Sequence, residues 1–374
     1  MQARVVRVRD LTPDDEAAWS ALAARAVEPN PFFEPEMIIP AADLLSHGHE
    51  IELAIASEGN RFTAVIPLRE TTRYSFPYPF VTTQVRRTVE SGTPLLDPDN
   101  GAEGFAEILD LLASRKSLLH SRILAMRKVT QEAPSYPLLE KAARLAGMPL
   151  IVTESFKRGF LYRRPEESYE DHYNSKFRSR LRRRRKRLAE HFGRSGELVD
   201  HTLDPYAAKR YVDLELSGYK GATGIAITES GGEAEFFLES CRRFTAQRRA
   251  RIFAFEANDV TLAMGIWFLS GPGFFGFKTS YDQNFSHYAP GVMLQLAEVG
   301  YFHSQTDAQW MDTCAQSGNE LLLELYPDRR QTALVMIPLG KNVVDLAAIR
   351  SFLSIRPAHK WWHDKRHQKR VYHL

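Results

Sequence analysis

The sequence is short of cysteine, of net charge and of long apolar runs. Two cysteines in 374 residues, Cys241 and Cys314, exclude a disulfide-built scaffold and fit a reducing compartment. Forty-nine Lys and Arg against 46 Asp and Glu leave a net charge of +3, so no chain-wide field marks a DNA binder. The most apolar stretch, Leu262 to Phe277, is broken by Gly271, Pro272 and Gly273. It falls short of the roughly 18 residues that a bilayer span needs. The opening residues, Met1 to Asp10, carry charges where a secretory signal would be apolar, so the cytoplasm is the expected location, with the inner-membrane surface left open. No P-loop, no G-x-S-x-G elbow and no Cys-x-x-Cys pair occurs, which removes support for kinase-like, hydrolase and zinc-ribbon chemistry. No metal is expected.

What is present is aromatic and periodic. Twenty-two Phe, 14 Tyr and 5 Trp are ample for packed cores, and the length suggests two domains. Arg4 to Arg9 alternates as a strand, and Thr12-Pro13 opens a helix to Ala26. Asn30-Pro31-Phe32-Phe33-Glu34-Pro35 reads as a rigid aromatic connection before a helix over Glu36 to Leu45. A hairpin follows, Ile51–Ala56 with Phe62–Leu68. Residues 71–100 read as loop with edge strands. Helices over 102–115 and 136–146 flank a strand at Arg122 to Val129, and Gly147 with Pro149 stops the second of them. The second half repeats this order. Helices over 203–216 and 233–247 precede a three-strand meander, Arg251–Glu256, Thr261–Leu269 and Phe274–Ser280, turning at Asn258-Asp259 and Gly271-Pro272-Gly273. A helix from Pro290 to His303, a strand at Gln309–Thr313, a helix over 318–326 and a strand at Thr332–Pro338 complete it, with a helix over 344–353 beyond.

The basicity is local. Nine of the twelve residues 176–187 are Lys or Arg, on a helix expected over 166–192 that opens with the capping pattern Ser168 to Asp171. Tyr169, Tyr173, Phe177, Leu181, Leu188 and Phe192 form its apolar stripe, which favours docking between domains. Its arginines fit a solvated face, phosphates or anionic headgroups; RNA fits less well. The tail Arg356–Leu374 holds six Lys or Arg, four His, one acid and Trp361-Trp362, a composition suited to an anionic membrane surface or to packing on the second domain. His359, His363 and His367 align at helical spacing, but a plain basic tail accounts for them better than a metal site does. Gly271-Pro272-Gly273-Phe274-Phe275-Gly276 matches G-x-G-x-x-G only in letters, because a strand follows it where a nucleotide site needs a helix.

Chemistry concentrates in 211–338. Glu215 and Lys220 flank a glycine-rich helix end. The strand Phe277-Lys278-Thr279-Ser280-Tyr281-Asp282 delivers polar groups to its tip, and Tyr288-Ala289-Pro290-Gly291-Val292 starts a helix whose N–H groups suit a phosphate or an oxyanion. Asp312 ends the neighbouring strand, in Met311-Asp312-Thr313-Cys314-Ala315.

With these residues the sequence resembles the acyltransferase branch of the GNAT superfamily related to CelD-like cellulose-biosynthesis proteins, and more distantly the Fem-type aminoacyl transferases. The resemblance rests on Leu214-Glu215 with Gly218-Tyr219-Lys220-Gly221, on Lys278, Tyr281-Asp282 and Tyr288 to Gly291, on Asp312 to Ala315 and on Leu325 to Arg330. It covers about 165–340, and the first half only loosely through Asn30 to Pro35. Tyr219 and Tyr326 stand where Trp is expected, and Ala289 where Ser is commoner. The resemblance implies an α/β (α+β) fold of two tandem GNAT-like domains, each a mostly antiparallel mixed sheet flanked by helices. The boundaries would be 1–160, a basic connecting helix at 161–195, 196–345 and a tail at 346–374.

It also implies direct transfer of an acyl group from a thioester, acyl-CoA or acyl carrier protein, to a small amine such as a sphingoid base or amino sugar of the cell envelope. The attacking amine must be neutral, so a base is needed, with Glu215, Asp282 and Asp312 as candidates. The thioester oxygen gains charge and needs N–H donors, expected near Thr279, Ser280 and Pro290-Gly291-Val292. Tyr281, Tyr288, Lys220 or Lys278 would serve the leaving thiolate. Cys314 reads as a packed thiol. A non-catalytic membrane- or RNA-binding module and Fem-like transfer from aminoacyl-tRNA are the alternatives.

Overall fold

A computed structural model describes residues 1–71, 80–83, 89–115, 122–164, 172–218, 221, 224, 226–227, 230–315, 320–340, 347 and 349. Lys220, the capping pattern at 168–171, most of the helix expected over 344–353, and the whole tail with its histidines and Trp361-Trp362 lie outside the described residues.

Thirteen strands form one sheet. In the first half these are β1 (Gln2–Arg7), β2 (Glu52–Glu58), β3 (Arg61–Thr71), β4 (Phe80–Thr82), β5 (Leu95–Leu96), β6 (Ile123–Thr130) and β7 (Ile151–Tyr162). In the second they are β8 (Glu197–Asp200), β9 (Ala250–Ala257), β10 (Val260–Ser270), β11 (Gly273–Tyr281), β12 (Trp310–Asp312) and β13 (Asp328–Pro338). The spatial order is β1-β2-β3-β4-β6-β13-β7-β12-β11-β10-β9-β8, with β5 on the flank of β3. The order is a near-palindrome. Each half contributes a meander, then a strand pairing in parallel, β4 with β6 and β11 with β12. Each half then gives its last strand to the other: β13 pairs with β6, β7 with β12, and β7 with β13 at the centre. The repeated element order of the sequence is thus realised as two like halves with exchanged final strands.

The helices are α1 (Pro13–Arg25), α2 (Pro35–Leu44), α3 (Gly101–Ser114), α4 (Ser135–Leu145), α5 (Ser175–Phe192), α6 (Ala207–Ser217), α7 (Glu233–Ala246), α8 (Pro290–Gln305) and α9 (Glu320–Leu325). Local chemistry fixes their ends. Thr12 and Asp15 form a reciprocal capping box on α1, Asn174 accepts from the Phe177 N–H at 2.8 Å on α5, and Gly193 ends α5 at φ 74°. Asn258 and Asp259, at φ 51° and 64°, make the β9–β10 hairpin turn. Gly271-Pro272 joins β10 to β11, so the G-x-G-x-x-G letters are a hairpin.

One apolar core runs along the face covered by α1–α4, α6 and α7 and spans both halves. A second lies under α5 and α8 on the other face of the second half. The segment Asn30 to Glu34 ties the halves together. Phe32 packs against Phe275 and Phe277, each at 6.3 Å between ring centres, while Glu34 pairs with Arg249 and accepts from Ser270.

Three elements differ from expectation. β7 and β8 are strands that the sequence pattern did not announce. β7 carries Glu154, Lys157 and Arg158, charges that mask its alternation. β4, expected at an edge, lies inside the sheet between β3 and β6.

Candidate functional site

The parallel pair β11–β12 is short. Gly273, Phe274 and Phe275 sit opposite Trp310, Met311 and Asp312, and the ladder then ends. After Asp312 the chain bends away. The Thr313 hydroxyl donates to the Gly159 carbonyl of β7 at 2.8 Å, and Cys314 takes φ 53°. β11 runs on from Gly276 to Tyr281 with β10 on one side and, among the described residues, no strand on the other. A bulge falls at the fork, because Ile266 faces Lys278 while Trp267 faces Gly276, which leaves Phe277 unmatched. A diverging parallel pair with a bulge exposes backbone N–H and C=O groups inside a packed domain, which is a place for an extended polar ligand.

Three elements converge on the tip of β11. The first turn of α8 meets it, since a methyl group at Gly291 would lie 3.4 Å from the Tyr281 ring. The end of α6 meets it as well, since a methyl at Gly218 would lie 3.5 Å from the Tyr281 carbonyl oxygen. Asp282 caps the short turn that follows, accepting from the Asn284 N–H at 2.9 Å. Ala289, at φ 53°, reverses the chain into α8, and the Val292 and Met293 N–H groups turn back to its carbonyl. Pro290 has no N–H, so Gly291 carries the first amide of the helix. Lys278 and Thr279 are half-buried, Ser280 is buried and Tyr281 is exposed. Tyr288 is buried beside α5, its ring 5.4 Å from His191 and 6.3 Å from Phe192.

The two other carboxylates lie deeper. Glu215 is fully buried in α6, and both its oxygens are engaged, one by the Tyr211 hydroxyl at 3.1 Å and one by the Ile227 N–H at 2.8 Å. It pins the glycine-rich segment after α6. Asp312 is fully buried between two arginines, Arg158 Nη2 at 2.7 Å and Arg330 Nη1 at 3.1 Å, and accepts from the Cys314 N–H at 2.9 Å. Burial raises its pKa, but the two guanidiniums and the N–H overcome that and hold it below the ordinary value. The chain of charges continues into the first half. Arg330 bonds Glu28 at 3.0 Å and lies over the Phe160 and Trp310 rings, while Arg158 donates to the Glu90 carbonyl at 2.7 Å. Lys128 pairs with the Glu90 carboxylate. Burial pushes the Cys314 thiol up, with Asp312 adding to it, as suits a packed thiol.

Sequence reasoning used Arg330 only within the resemblance, without a role, and passed over Arg158 and Glu28, and also Gln295 and Glu298. The last two are the polar residues, one turn apart, of the otherwise apolar stretch Pro290 to Gly300 of α8, a signal that was legible. No group of three or more His, Cys, Asp or Glu that could hold a metal occurs among the described residues, and no helix there is long and apolar enough to cross a membrane.

Residues 175–313 match the acetyltransferase (GNAT) domain family, so the chain carries a GNAT-type domain from α5 to the end of the β12 strand. Among solved structures, FemX is similar over 93% of this chain and 100% of its own, at 8% identity and a TM-score of 0.58. A conserved protein of unknown function from Bacteroides thetaiotaomicron is similar over 88% and 97%, at 11% identity and 0.57. The C-terminal domain of a putative lysylphosphatidylglycerol synthetase from Agrobacterium fabrum is similar over 91% and 96%, at 9% identity and 0.51. At such identities the likeness is one of fold. No curated protein sequence matches the chain.

Proposed function

We propose that the protein is an N-acyltransferase of the CelD-like kind that works at the β11–β12 fork of its second half. The tandem units would be 1–160 and 196–345, joined by 161–195. The observation that carries this reading is the edge of β11 past Phe275, which no strand covers among the described residues, next to the start of α8. An acyl-CoA presents an extended arm with two amides, which suits an unpaired strand edge, and a pyrophosphate, which suits the first turn of a 16-residue helix. The thioester carbonyl would meet N–H groups near the bulge at Phe277 and around Thr279 and Ser280. Of the three candidate carboxylates, Asp282 has solvent access and a base role fits it; Glu215 and Asp312 fit positioning roles. Tyr281, at the mouth, suits protonation of the leaving thiolate, and Lys278 suits charge stabilisation there. The acceptor is a small amine of an envelope precursor, and the basic tail would hold the enzyme at an anionic inner-membrane surface.

A second donor, aminoacyl-tRNA, is favoured by one observation. α5 turns Phe177, Leu181 and Leu188 inward and leaves Arg182, Arg183, Lys186 and Arg187 exposed. Mass spectrometry of ligand carried through purification, followed by transfer assays with acyl-CoA, acyl carrier protein and charged tRNA, decides between donors. Transfer from acyl-CoA to an amine, unaffected by neutralising the exposed α5 cations, supports the first reading. Transfer from charged tRNA alone, lost on neutralisation or in high salt, supports the second.

A further inference from the structure

Glu298 on α8 has no exposed surface. It is seated against Gly265 of β10, where any side chain would collide with Glu298 Oε1. Gly265 faces Thr279 across the β10–β11 ladder, so Glu298 lies directly beneath β11 at Thr279. Gln295 connects the two. Its Nε2 donates to Glu298 Oε2 at 2.9 Å and to Thr279 Oγ1 at 3.4 Å, and its Oε1 accepts from the Tyr326 hydroxyl at 2.5 Å. Both amide hydrogens and the carbonyl are thereby used, which fixes the orientation of the amide. Glu298 Oε1 and the indole Nε1 of Trp267 are both buried. Glu298 is faced by Gly265 and Trp267 of β10 and Gln295 of its own helix, with Thr279 and Tyr326 one link further through Gln295, and none of these is charged. Burial pushes its carboxyl up to about 8, with the Trp267 indole offsetting part of the rise.

We propose that Glu298 is a positioning residue for the fork: seated at Gly265, its carboxyl fixes Gln295, and Gln295 fixes Thr279 on the stretch of β11 past its pairing with β12. The device makes physical sense there. A buried, hydrogen-bonded side-chain chain between α8 and β11 holds the strand at one fixed distance from the helix. The lock holds while the carboxyl is a neutral acid. Loss of its proton to solvent leaves a buried charge with no counter-ion, and the carboxylate can regain water only if α8 and β11 separate. The description of this stretch as the donor site rests on the function proposed above; the lock itself does not.

Hydrogen exchange tests it without substrate. Peptides spanning 276–282 are compared in the wild-type chain and Glu298→Gln, which keeps the volume and mimics the neutral acid, at pH 6.5 and pH 9. Relative to the Gln variant at the same pH, the wild type should exchange equally at pH 6.5 and at least about threefold faster at pH 9, as local opening does. Thr279→Val, which cuts the last link, should give the fast pattern already at pH 6.5. Equal exchange of wild type and Glu298→Gln at pH 9, or a difference spread evenly over α1–α4, overturns the proposal. So does slow exchange in Thr279→Val. If exchange behaves as expected while no donor supports transfer, the donor reading fails and the lock stands.

Discussion

Each half of the molecule builds the same fork and treats it differently. In the first half β4 pairs in parallel with β6 through Val81–Leu124 and Thr82–Ala125, and the strands then part, with Lys128 at φ 58°. The gap is filled by the chain itself. Val89, Glu90, Ser91 and Thr93 are buried, and Gly92 fits so tightly that a methyl group there would collide with the Thr83 hydroxyl and the Arg127 carbonyl, one from each side. Asn30 donates to the Ser91 and Thr93 carbonyls at 3.2 and 2.8 Å, Arg158 holds the Glu90 carbonyl, and Lys128 pairs with the Glu90 carboxylate. In the second half the edge of β11 has no such segment among the described residues. The comparison teaches that the fold makes a wedge of unspent backbone groups twice, and that those groups need partners once buried. The first half supplies them internally; under the function proposed above, those of the second serve the donor.

Asp312 sits between the two forks, and its removal has the largest expected effect. Asp312→Asn takes from the buried Arg158 the carboxylate it pairs with and leaves Arg330 with Glu28. Breaking one side of a buried ion pair costs about 3–5 kcal/mol, read as a fall in the urea midpoint. The acid limb should change too. The folded pKa of Asp312 lies below 3.8, so its contribution is present above that pH and is lost as pH falls through the folded value. Asp312→Asn should lack that part of acid unfolding. Unchanged stability would show that the charge network does not join the halves.

Gly92→Ala and Gly276→Ala probe the two forks with one methyl group. At Gly92 both walls are close-packed around the glycine, and the loss should reach about 2–3 kcal/mol, in the range of overpacked sites. At Gly276 the nearest atom is the Thr313 carbonyl oxygen at 2.8 Å, farther off than the Arg127 carbonyl is at Gly92, so the cost should be smaller. A reversed order in thermal unfolding would mean that the first fork is not plugged.

Lysine exchange separates chemistry from packing. Lys278→Met should lower transfer at least tenfold, about 1.4 kcal/mol, with folding intact. Lys128→Met should destabilise the chain by leaving Glu90 unpaired and yet keep turnover per folded molecule. Calorimetry should count one donor per chain, and a count of two would break the comparison outright.

Much of this was legible in the sequence, and the reasons it was or was not are specific. Thr12-Pro13, Asn258-Asp259 and Gly271-Pro272 carry their own turn and cap chemistry, so the ends they set were readable. The repeated element order announced two like halves. The exchange of β7 and β13 was not readable, because pairing between distant strands leaves no local mark, and β7 hides its alternation under Lys157 and Arg158. The tip of β11 and the start of α8 were placed together correctly from their order. That Glu215 and Asp312 are both sealed by hydrogen bonds depends on Tyr211, Ile227, Arg158 and Arg330, which only the folded chain brings close. The plug at 89–93 was read as loop, since its burial comes from Asn30 and Arg158, about 60 residues away on either side.

The smallest predicted effect concerns α5, which belongs to the second half alone. Its apolar stripe packs beneath the same core as α8, and Phe192 meets Phe285 at 5.5 Å. Its first turn is held by Asn174, whose side chain satisfies the Phe177 N–H. Nine cations on one helix repel each other, and with Arg180 and Arg183 nearby, burial lowers the pKa of Arg184 further. The cap therefore acts against a strained charge distribution. Asn174→Ala should cost about 1 kcal/mol, the usual value for a lost cap. Exchange should quicken in the first turns of α5 and in the 283–288 turn beside it, while the peptides of α1–α4 keep their rates. If the first half loosens equally, α5 braces both halves, and the division between a filled fork and an open one is not a division in stability.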